Sequence, residues 1–495
     1  MANLTIGPVI GEVTDTTARI LIEVDQAAEV SCRLQGNNGE LHNSNQDFNA
    51  GRPGTFQFEG LDQSTLYKVT LTGVDNPYPG SFRTFPTEPN EIQIGIVSCN
   101  DPIRETKDFL GVRRFFPTRR LKHLDKRHVR KAGPKHIDLL VHMGDQIYGD
   151  RVFKDYRHQL QNDNNQRNNE AFLMEIESDY RAIYRKNWYK HRWMRHILAN
   201  VPNLMIWDDH DIADDWGISD SDRDPDSKRR VIGNIARRIY REYQRQLWTA
   251  DVSIPASPTP DASMEYHHHR WGNFGMIFLD TRGSRSFNNQ FAKPKNYFLG
   301  TQQWEWLNGL LKPGGEFEDV TLIGLVSPVP LVYFPDVIPD KIFYSRRAQM
   351  TLDTGDHWSL GKHRPELNRL IELMDSWKQA KPETREIIVL SGDVHMGGFS
   401  EILKDGERLF TQFISSALSK DTGQKYTAHF IRLFNKKYRI NAPYTFRHRI
   451  ATLVPHRNYG IVRTAFPSQA RPSYHLYLEV EKYGIKWVIR YKPRV

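Results

Sequence analysis

The stretch Ile137-Asp138-Leu139-Leu140-Val141-His142-Met143-Gly144-Asp145-Gln146-Ile147-Tyr148 decides the fold. Its apolar run reads as a buried strand that stops at Gly144-Asp145, where a hydrophobic stripe gives way to a carboxylate. Four other stretches repeat the event. The run 92–97 leads into Ser98-Cys99-Asn100-Asp101, 204–207 into Asp208-Asp209-His210-Asp211, 274–279 into Asp280-Thr281-Arg282, and 387–390 into Gly392-Asp393-Val394-His395. An open α/β sheet gathers strand ends at one rim, where ligands and metals bind, so residues as distant as Cys99 and His395 are expected in one site.

Helical patterns over 180–198, 229–247, 301–311 and 365–377 alternate with these strands, which implies an α/β domain. The Asn- and Gln-rich segment 159–170 reads as an exposed loop. Strand alternation returns over 459–464, 474–481 and 486–491, as an antiparallel edge or second sheet of the same domain. The first 88 residues differ. Ala18, Ile20, Ile22 and Val24 alternate with Arg19, Leu21 and Glu23, and Tyr67, Val69 and Leu71 alternate with Lys68, Thr70 and Thr72. The stretch Leu61-Asp62-Gln63-Ser64-Thr65-Leu66-Tyr67 resembles the turn and tyrosine that lead into a late strand of fibronectin type III or immunoglobulin-like sandwiches. Pro86-Thr87-Glu88-Pro89-Asn90 reads as a linker, since prolines end a ladder. The expected organisation is a β-sandwich over 1–88 and an α/β (α+β) domain over 91–495.

At 495 residues, with 39% apolar and 26% charged residues, the chain is expected to be globular with at least two folding units. No apolar stretch is long enough to span a bilayer. The amino terminus carries no basic n-region, twin arginine or apolar core, so a cytoplasmic location is expected unless a leader has been trimmed. Cys32 and Cys99 fall in different domains and are expected to stay unpaired. The net charge of +9 suits an anionic substrate or solubility alone. Much of it lies between Arg113 and Lys131, which reads as a solvated face or as a funnel for phosphate-bearing molecules beside Cys99; no nucleic-acid module accompanies it.

Ligand chemistry sorts the strand ends. Asp145 and Tyr148, three residues apart, can aim at one point. A phenolate suits a hard ion such as Fe(III), and Cys99 as thiolate with His395 as neutral imidazole completes a mixed donor set. Asp393 shares a face with His395. With Asp209, and Asp145 bridging, it makes an all-oxygen site suited to Ca²⁺, Mg²⁺ or Mn²⁺. Three carboxylates, a thiolate and a phenolate total about −5, which Fe(III) and one divalent ion cancel to about zero. Two metals about 3.5–4 Å apart can activate a hydroxide for in-line attack on phosphorus. His210 could then donate a proton, and Arg282 could hold the phosphate.

In type, order and spacing these motifs resemble the alkaline phosphatase D, or PhoD-like, family of the calcineurin-like metallophosphoesterase superfamily, across nearly the whole chain. The resemblance implies a two-sheet core flanked by helices behind a sandwich. It also implies iron on Cys99, Asp145, Tyr148 and His395, and calcium on Asp145, Asp209 and Asp393. Asn100, Asp208 and Asp280 are further ligands or outer partners. The implied activity is hydrolysis of phosphodiesters and phosphomonoesters. A nuclease with the same centre, taking nucleic acid as substrate, and a scaffold using the sandwich are the alternatives.

Other signals are set aside. His267-His268-His269 precedes a strand and is expected to face solvent. Asp220-Ser221-Asp222-Arg223-Asp224 opens like a calcium loop, but Pro225 and Val231 stand where glycine and the bidentate glutamate belong; an acidic lid remains open. Tyr180, Tyr184, Trp188 and Trp193 read as core.

Overall fold

The computed structural model describes residues 1–102, 106–107, 113–114, 119–130, 133, 135–222, 224–253, 265–284, 298–333, 357–358, 363–420, 438–441, 443–468, 470–482 and 485–493. Of the basic segment 113–131, residues 115–118 and 131 lie outside the described residues. Seven strands open the chain: β1 (Leu4–Val13), β2 (Ala18–Val24), β3 (Ala28–Gly36), β4 (Leu41–Phe48), β5 (Gly54–Phe58), β6 (Leu66–Thr72) and β7 (Gly80–Arg83). They form two sheets, β1-β2-β5 and β4-β3-β6-β7. Alternation works here as period 2 requires: Val30, Cys32 and Leu34 of β3 and Tyr67, Val69 and Leu71 of β6 point inward. The Tyr67 hydroxyl accepts from the Asp62 backbone N–H at 2.9 Å, which pins the turn before its own strand. Cys32 is a free thiol, pushed up to about 12 by burial.

β1 and β2 are buried along almost their whole length, because their outer face is not solvated. Gly11 lies so close to Leu247 that a Cβ would sit 2.3 Å from its carbonyl oxygen. Trp271 donates to the Val13 carbonyl at 3.0 Å, and Asn203 to that of Ile10 at 3.1 Å. Buried Glu23 receives Arg185 at 2.5 Å and the Tyr243 hydroxyl. One apolar cluster consequently runs from Ala2 to Val480, although the 86–90 segment separates the sheets in sequence.

The remaining strands are β8 (Glu91–Val97), the two-residue pair β9 (Thr106–Lys107) and β10 (Arg113–Arg114), β11 (Leu139–Met143), β12 (Asn203–Ile206), β13 (His267–Trp271), β14 (Phe274–Phe278), β15 (Leu322–Ser327), β16 (Glu386–Ser391), β17 (Gly397–Lys404), β18 (Glu407–Ser415), β19 (Tyr438–Asn441), β20 (Tyr444–His448), β21 (Asn458–Ala465), β22 (Ser473–Lys482) and β23 (Ile485–Tyr491). The helices among the described residues are α1 (Arg119–Leu124), α2 (Asp150–Asn162), α3 (Glu170–Tyr184), α4 (Arg192–Asn200), α5 (Lys228–Tyr243), α6 (Thr301–Leu311) and α7 (Arg364–Ala380). Two sheets form the core, ordered β12-β11-β8-β21-β22-β23 and β13-β14-β15-β16-β18-β17-β20-β19. They pack face to face, where Gly460 of β21 leaves room for the Phe413 ring of β18; a Cβ there would lie 2.6 Å from it. The fold is mixed α/β with a two-sheet core. No helix among the described residues is long and apolar enough to cross a membrane.

Two expectations change. Residues 159–170 are mostly helical: α2 runs to Asn162 and turns Phe153, Tyr156 and Leu160 inward, then a short 3-10 turn leads into α3. Polar composition masked an amphipathic spacing of three and four. The histidine triplet forms β13 itself, with His267 and His269 buried. His269 Nδ1 meets Glu12 at 2.5 Å and its Nε2 meets His267 Nδ1 at 2.7 Å, so the pair closes the seam to β1.

Glu265, just before β13, locks α5 to this sheet. Its carboxylate accepts from Arg237 at 2.7 Å, Arg241 at 2.7 Å and Arg245 at 3.0 Å, and is fully buried. Burial alone would raise its pKa, but the three guanidinium charges outweigh burial and hold it at about 2. A carboxyl lowered on folding gives stability that is present above its unfolded value and lost as pH falls through the folded one. That part of the stability is expected to vanish between about pH 4.5 and 2. Glu265→Gln should flatten this stretch of the acid-unfolding curve and cost roughly 3–5 kcal/mol at neutral pH, read by denaturant titration.

Candidate metal centre

Strand register brings the predicted ligands to one level. β8, β11 and β12 are parallel neighbours, with Val97 beside His142 and Met143 beside Ile206. Each then releases a loop, carrying Cys99, Asp145 and Asp209. β16, whose Ser391 pairs with Ser327 of β15, delivers Asp393 and His395 from the second sheet. The loops are tied: Cys99 N–H donates to the Gly144 carbonyl at 3.3 Å, Asn100 N–H to that of Asp145 at 2.9 Å, and Lys420 N–H to that of Cys99 at 3.2 Å.

The backbone at these positions is strained. Cys99, Asp145, Asp393 and His395 have φ of 53°, 57°, 61° and 49°, the left-handed region that side chains seldom occupy. Such conformations cost free energy and persist where surrounding structure imposes them, typically at functional sites. Two glycines make room. A Cβ on Gly144 would lie 2.5 Å from Asp208 Cβ, and one on Gly392 would lie 2.5 Å from Ser98 Oγ.

Four donor groups result among the described residues, one of them Asp150, His210 and Asp214; the other three are joined through ligand carboxylates. Donor atoms of Cys99, Asp145 and His395 lie within 4.8 Å of one another, as do those of Asp145, Asp209 and His210, and those of Asp208, Asp209 and Asp393. Asp145 joins the first two groups and Asp209 the last two. The Tyr148 hydroxyl donates to Asp145 Oδ2 at 3.1 Å, which places it beside the first group. Asp145 Oδ1 is buried with no hydrogen-bond partner among the described residues. Two serines support the thiol: Ser416 Oγ, which accepts the His395 N–H at 2.9 Å, is 3.1 Å from Cys99 Sγ, and Ser98 Oγ is 3.3 Å away.

These side chains are electrostatically frustrated by themselves. Burial, then the charges of Cys99 and Asp209, raise Asp145 well above the usual carboxylate range. Burial and Asp208 push Asp393 up to about 8. Burial raises the Cys99 thiol against the Ser416 and Ser98 hydrogen bonds. It also raises Tyr148, helped by Asp145. Burial lowers His395 to about 3, helped by the charges of His210 and Lys420, so its imidazole is neutral as a ligand must be. A buried orphan carboxylate oxygen, neighbouring carboxylates that repel, a neutral imidazole and a thiol in reach all fit metal cations. Each would relieve the frustration.

The other predicted residues divide. Asp209 lies below its usual range, because Arg282 and His210 outweigh burial. Asp208 is paired with Arg282. Asn100 is buried, accepting from Ser419 at 2.9 Å, with its amide nitrogen against Met194 Sδ. Asp280 is turned away from the donor groups: it accepts the Trp207 indole N–H at 2.8 Å and the backbone N–H groups of Glu265, Arg282 and Gly283. Its chemistry is that of an anchor for the β14 end. Arg282 is buried to 2% exposure, its guanidinium against Asp208 and 3.3 Å from Asp209. There it balances carboxylate charge. Asp222 is likewise buried and bound to Arg229 at 2.5 Å, which ties down the segment read as an acidic lid.

Several residues escaped sequence reading. Asp211 accepts the backbone N–H groups of Asp145 at 3.0 Å and Asp208 at 2.9 Å, and the Gln244 amide at 2.8 Å, clamping two ligand loops. Asp150 accepts from His210 Nδ1 at 2.7 Å. Lys420 sets its ammonium 3.3 Å from the centre of the Tyr148 ring. Asp211 stood within a quoted motif and Asp150 two residues beyond another, so adjacency could have flagged both; no local signal marked Lys420 or Ser416.

Comparison with known proteins bears on this site. Residues 124–462 match the family model described as PhoD-like phosphatase. A solved structure of PhoD superimposes with a TM-score of 0.66 at 15% identity, over 99% of this chain and 90% of that one, a likeness of fold. An uncharacterized protein of Saccharomyces cerevisiae (strain ATCC 204508 / S288c) is 24% identical over 239 residues, 40% of this chain and 33% of that protein. The chain thus spans about a third of the length of that curated relative.

Proposed function

The chain belongs to the PhoD-like phosphatase family, and on that premise we propose that it is a metal-dependent hydrolase of phosphoesters, both monoesters and diesters. The observation that carries the reading is the run of three donor groups joined through Asp145 and Asp209 at one sheet rim. Cys99, Asp145, Tyr148 and His395 would hold Fe(III), and Asp145, Asp209 and Asp393 would hold Ca²⁺, with Mn²⁺ or Mg²⁺ as substitutes. When bound, such a pair supplies Lewis acidity and lowers the pKa of water.

The chain's own residues do the rest. Asp145, which belongs to two of the donor groups, would serve both halves of the site. The Ser416 hydroxyl, which takes the His395 N–H, has its own proton free for the Cys99 sulfur, and so favours the thiolate. His210 is held well above its ordinary pKa: burial opposes, but Asp209, Asp145 and the hydrogen bond to Asp150 outweigh it. With Nδ1–H committed to Asp150, its Nε2–H is the proton available to a leaving-group oxygen. Arg282 pairs with Asp208 and, by its charge, helps to hold Asp209 below its usual range.

The test is hydrolysis of nitrophenyl phosphate, bis-nitrophenyl phosphate and single-stranded nucleic acid by protein supplied with iron and calcium, alongside elemental analysis. About one iron per chain with a divalent partner, and turnover of the nitrophenyl esters, are expected. Cleavage of nucleic acid alone would make the protein a nuclease, and no cleavage with full metal content would leave a scaffold.

A further inference from the structure

Arg282 is buried against Asp208 and Asp209, so a cation nearer the opening is better placed to meet an arriving substrate's charge. Exposure divides the site into a floor and a mouth. Cys99, Asp145, Asp208 and Arg282 are buried, whereas Asp101, Tyr148, His210, Asp393, His395 and Lys420 are each partly exposed. A phosphate arrives from the mouth, and of these partly exposed residues the cationic ones are His210 and Lys420.

Lys420 is built into this position. Its N–H donates to the Cys99 carbonyl at 3.2 Å, and its own carbonyl accepts from Arg457 Nε at 3.2 Å, so its backbone is fixed to the ligand loop. Its side chain is 11% exposed. The ammonium rests 3.3 Å from the Tyr148 ring centre, and its ion-pair partner among the described residues, Asp101, is 4.0 Å away, too long for a hydrogen bond. The same Tyr148 ring meets the His210 ring at 4.3 Å between centres. Lys420 and His210 therefore flank Tyr148 at one opening. An ammonium with three donors and no close carboxylate among the described residues is a point charge ready for phosphoryl oxygens.

Resting on the phosphoester reading above, we propose that Lys420 is the cation that binds the phosphoryl group from the open side, and that it favours monoester over diester substrates. A monoester dianion carries one more negative charge than a diester monoanion, and a single ammonium rewards that difference. Arg282 sets the charge of the floor; Lys420 selects what enters.

The experiment compares the metal-loaded wild type with Lys420→Ala and Lys420→Arg. Calorimetric titration with inorganic phosphate is read beside kcat and KM on nitrophenyl phosphate and bis-nitrophenyl phosphate. Lys420→Ala is expected to weaken phosphate binding and raise the monoester KM by about tenfold or more, with a smaller change for the diester and metal content unchanged. Lys420→Arg should restore most of the phosphate affinity. Unchanged phosphate affinity in Lys420→Ala, equal losses on both esters, loss of metal from the variant, or a wild type that binds no phosphate would each overturn the proposal. A wild type that binds phosphate through Lys420 yet hydrolyses nothing would instead defeat the hydrolase reading and leave the binding role standing.

Discussion

Asp145→Asn is expected to reduce phosphoester hydrolysis by on the order of 10³-fold or more, the largest loss of any single change in this protein. Changes to residues that merely support a metal ligand already cost about 10–100-fold in metal affinity or activity. Asp145 belongs to two of the three joined donor groups, so its loss reaches both halves of the site at once. An asparagine keeps the volume but presents one oxygen and one nitrogen, and cannot serve two cations. A stability measurement separates this account from simple misfolding. Burial and neighbouring negative charge raise the Asp145 pKa well above its ordinary value. An acid raised on folding favours the folded state only while protonated, and that contribution is lost as pH climbs from the unfolded value toward the folded one. At neutral pH and without metal, Asp145→Asn should therefore melt higher than wild type. With metal at about a hundred times its dissociation constant, wild type should gain roughly 2.7 kcal/mol and overtake the variant, which should gain little. A variant that keeps both metals and full turnover would remove Asp145 from the bridge.

That trade explains which parts of the site could be read from residue order. Cys99, Asp145, Asp209, Asp393 and His395 are conspicuous because each interrupts a buried apolar run, and the interruption is local. Parallel register turns that local signal into convergence, since strands that end at the same level release their loops at the same rim. Asp280 and Arg282 show the same interruption and stand at the same rim, yet β14 is a different strand of the second sheet. There Trp207 from the first sheet captures Asp280, and Asp208 captures Arg282. A strand end specifies position along the sheet; what the side chain meets depends on elements far away in sequence. Asp211 is the converse case. It reads as a solvated turn residue, but burial raises it to about 7, and the backbone N–H groups of Asp145 and Asp208 hold it in place. The histidines of β13 fail for the same reason: their partners, Glu12 and the Met205 carbonyl, belong to two other sheets. Left-handed φ at four ligand positions is equally invisible in composition.

The second large effect is expected at His210, and its size should depend on the substrate. His210 lies within reach of the Asp145 and Asp209 donor atoms, with Nδ1 bound to Asp150 at 2.7 Å and Nε2 3.6 Å from Asp214. A proton held at Nε2 matters in proportion to the basicity of the leaving oxygen. General-acid assistance contributes about 10²–10⁴-fold when the leaving group needs it and little when it does not. His210→Ala should thus slow an alkyl phosphate by about 10²–10⁴-fold while leaving nitrophenyl phosphate much less affected. Asp150→Asn should show the same leaving-group dependence at smaller amplitude, because the ring stays but loses the carboxylate that orients it and keeps it charged. A linear free-energy plot of log kcat against leaving-group pKa, for wild type and both variants, reads this directly: a steeper negative slope in the variants is the signature of a lost acid. Equal losses for alkyl and nitrophenyl esters, accompanied by loss of the divalent ion, would instead make His210 a ligand of the Asp145 and Asp209 group. The proton would then have to come from elsewhere at the mouth.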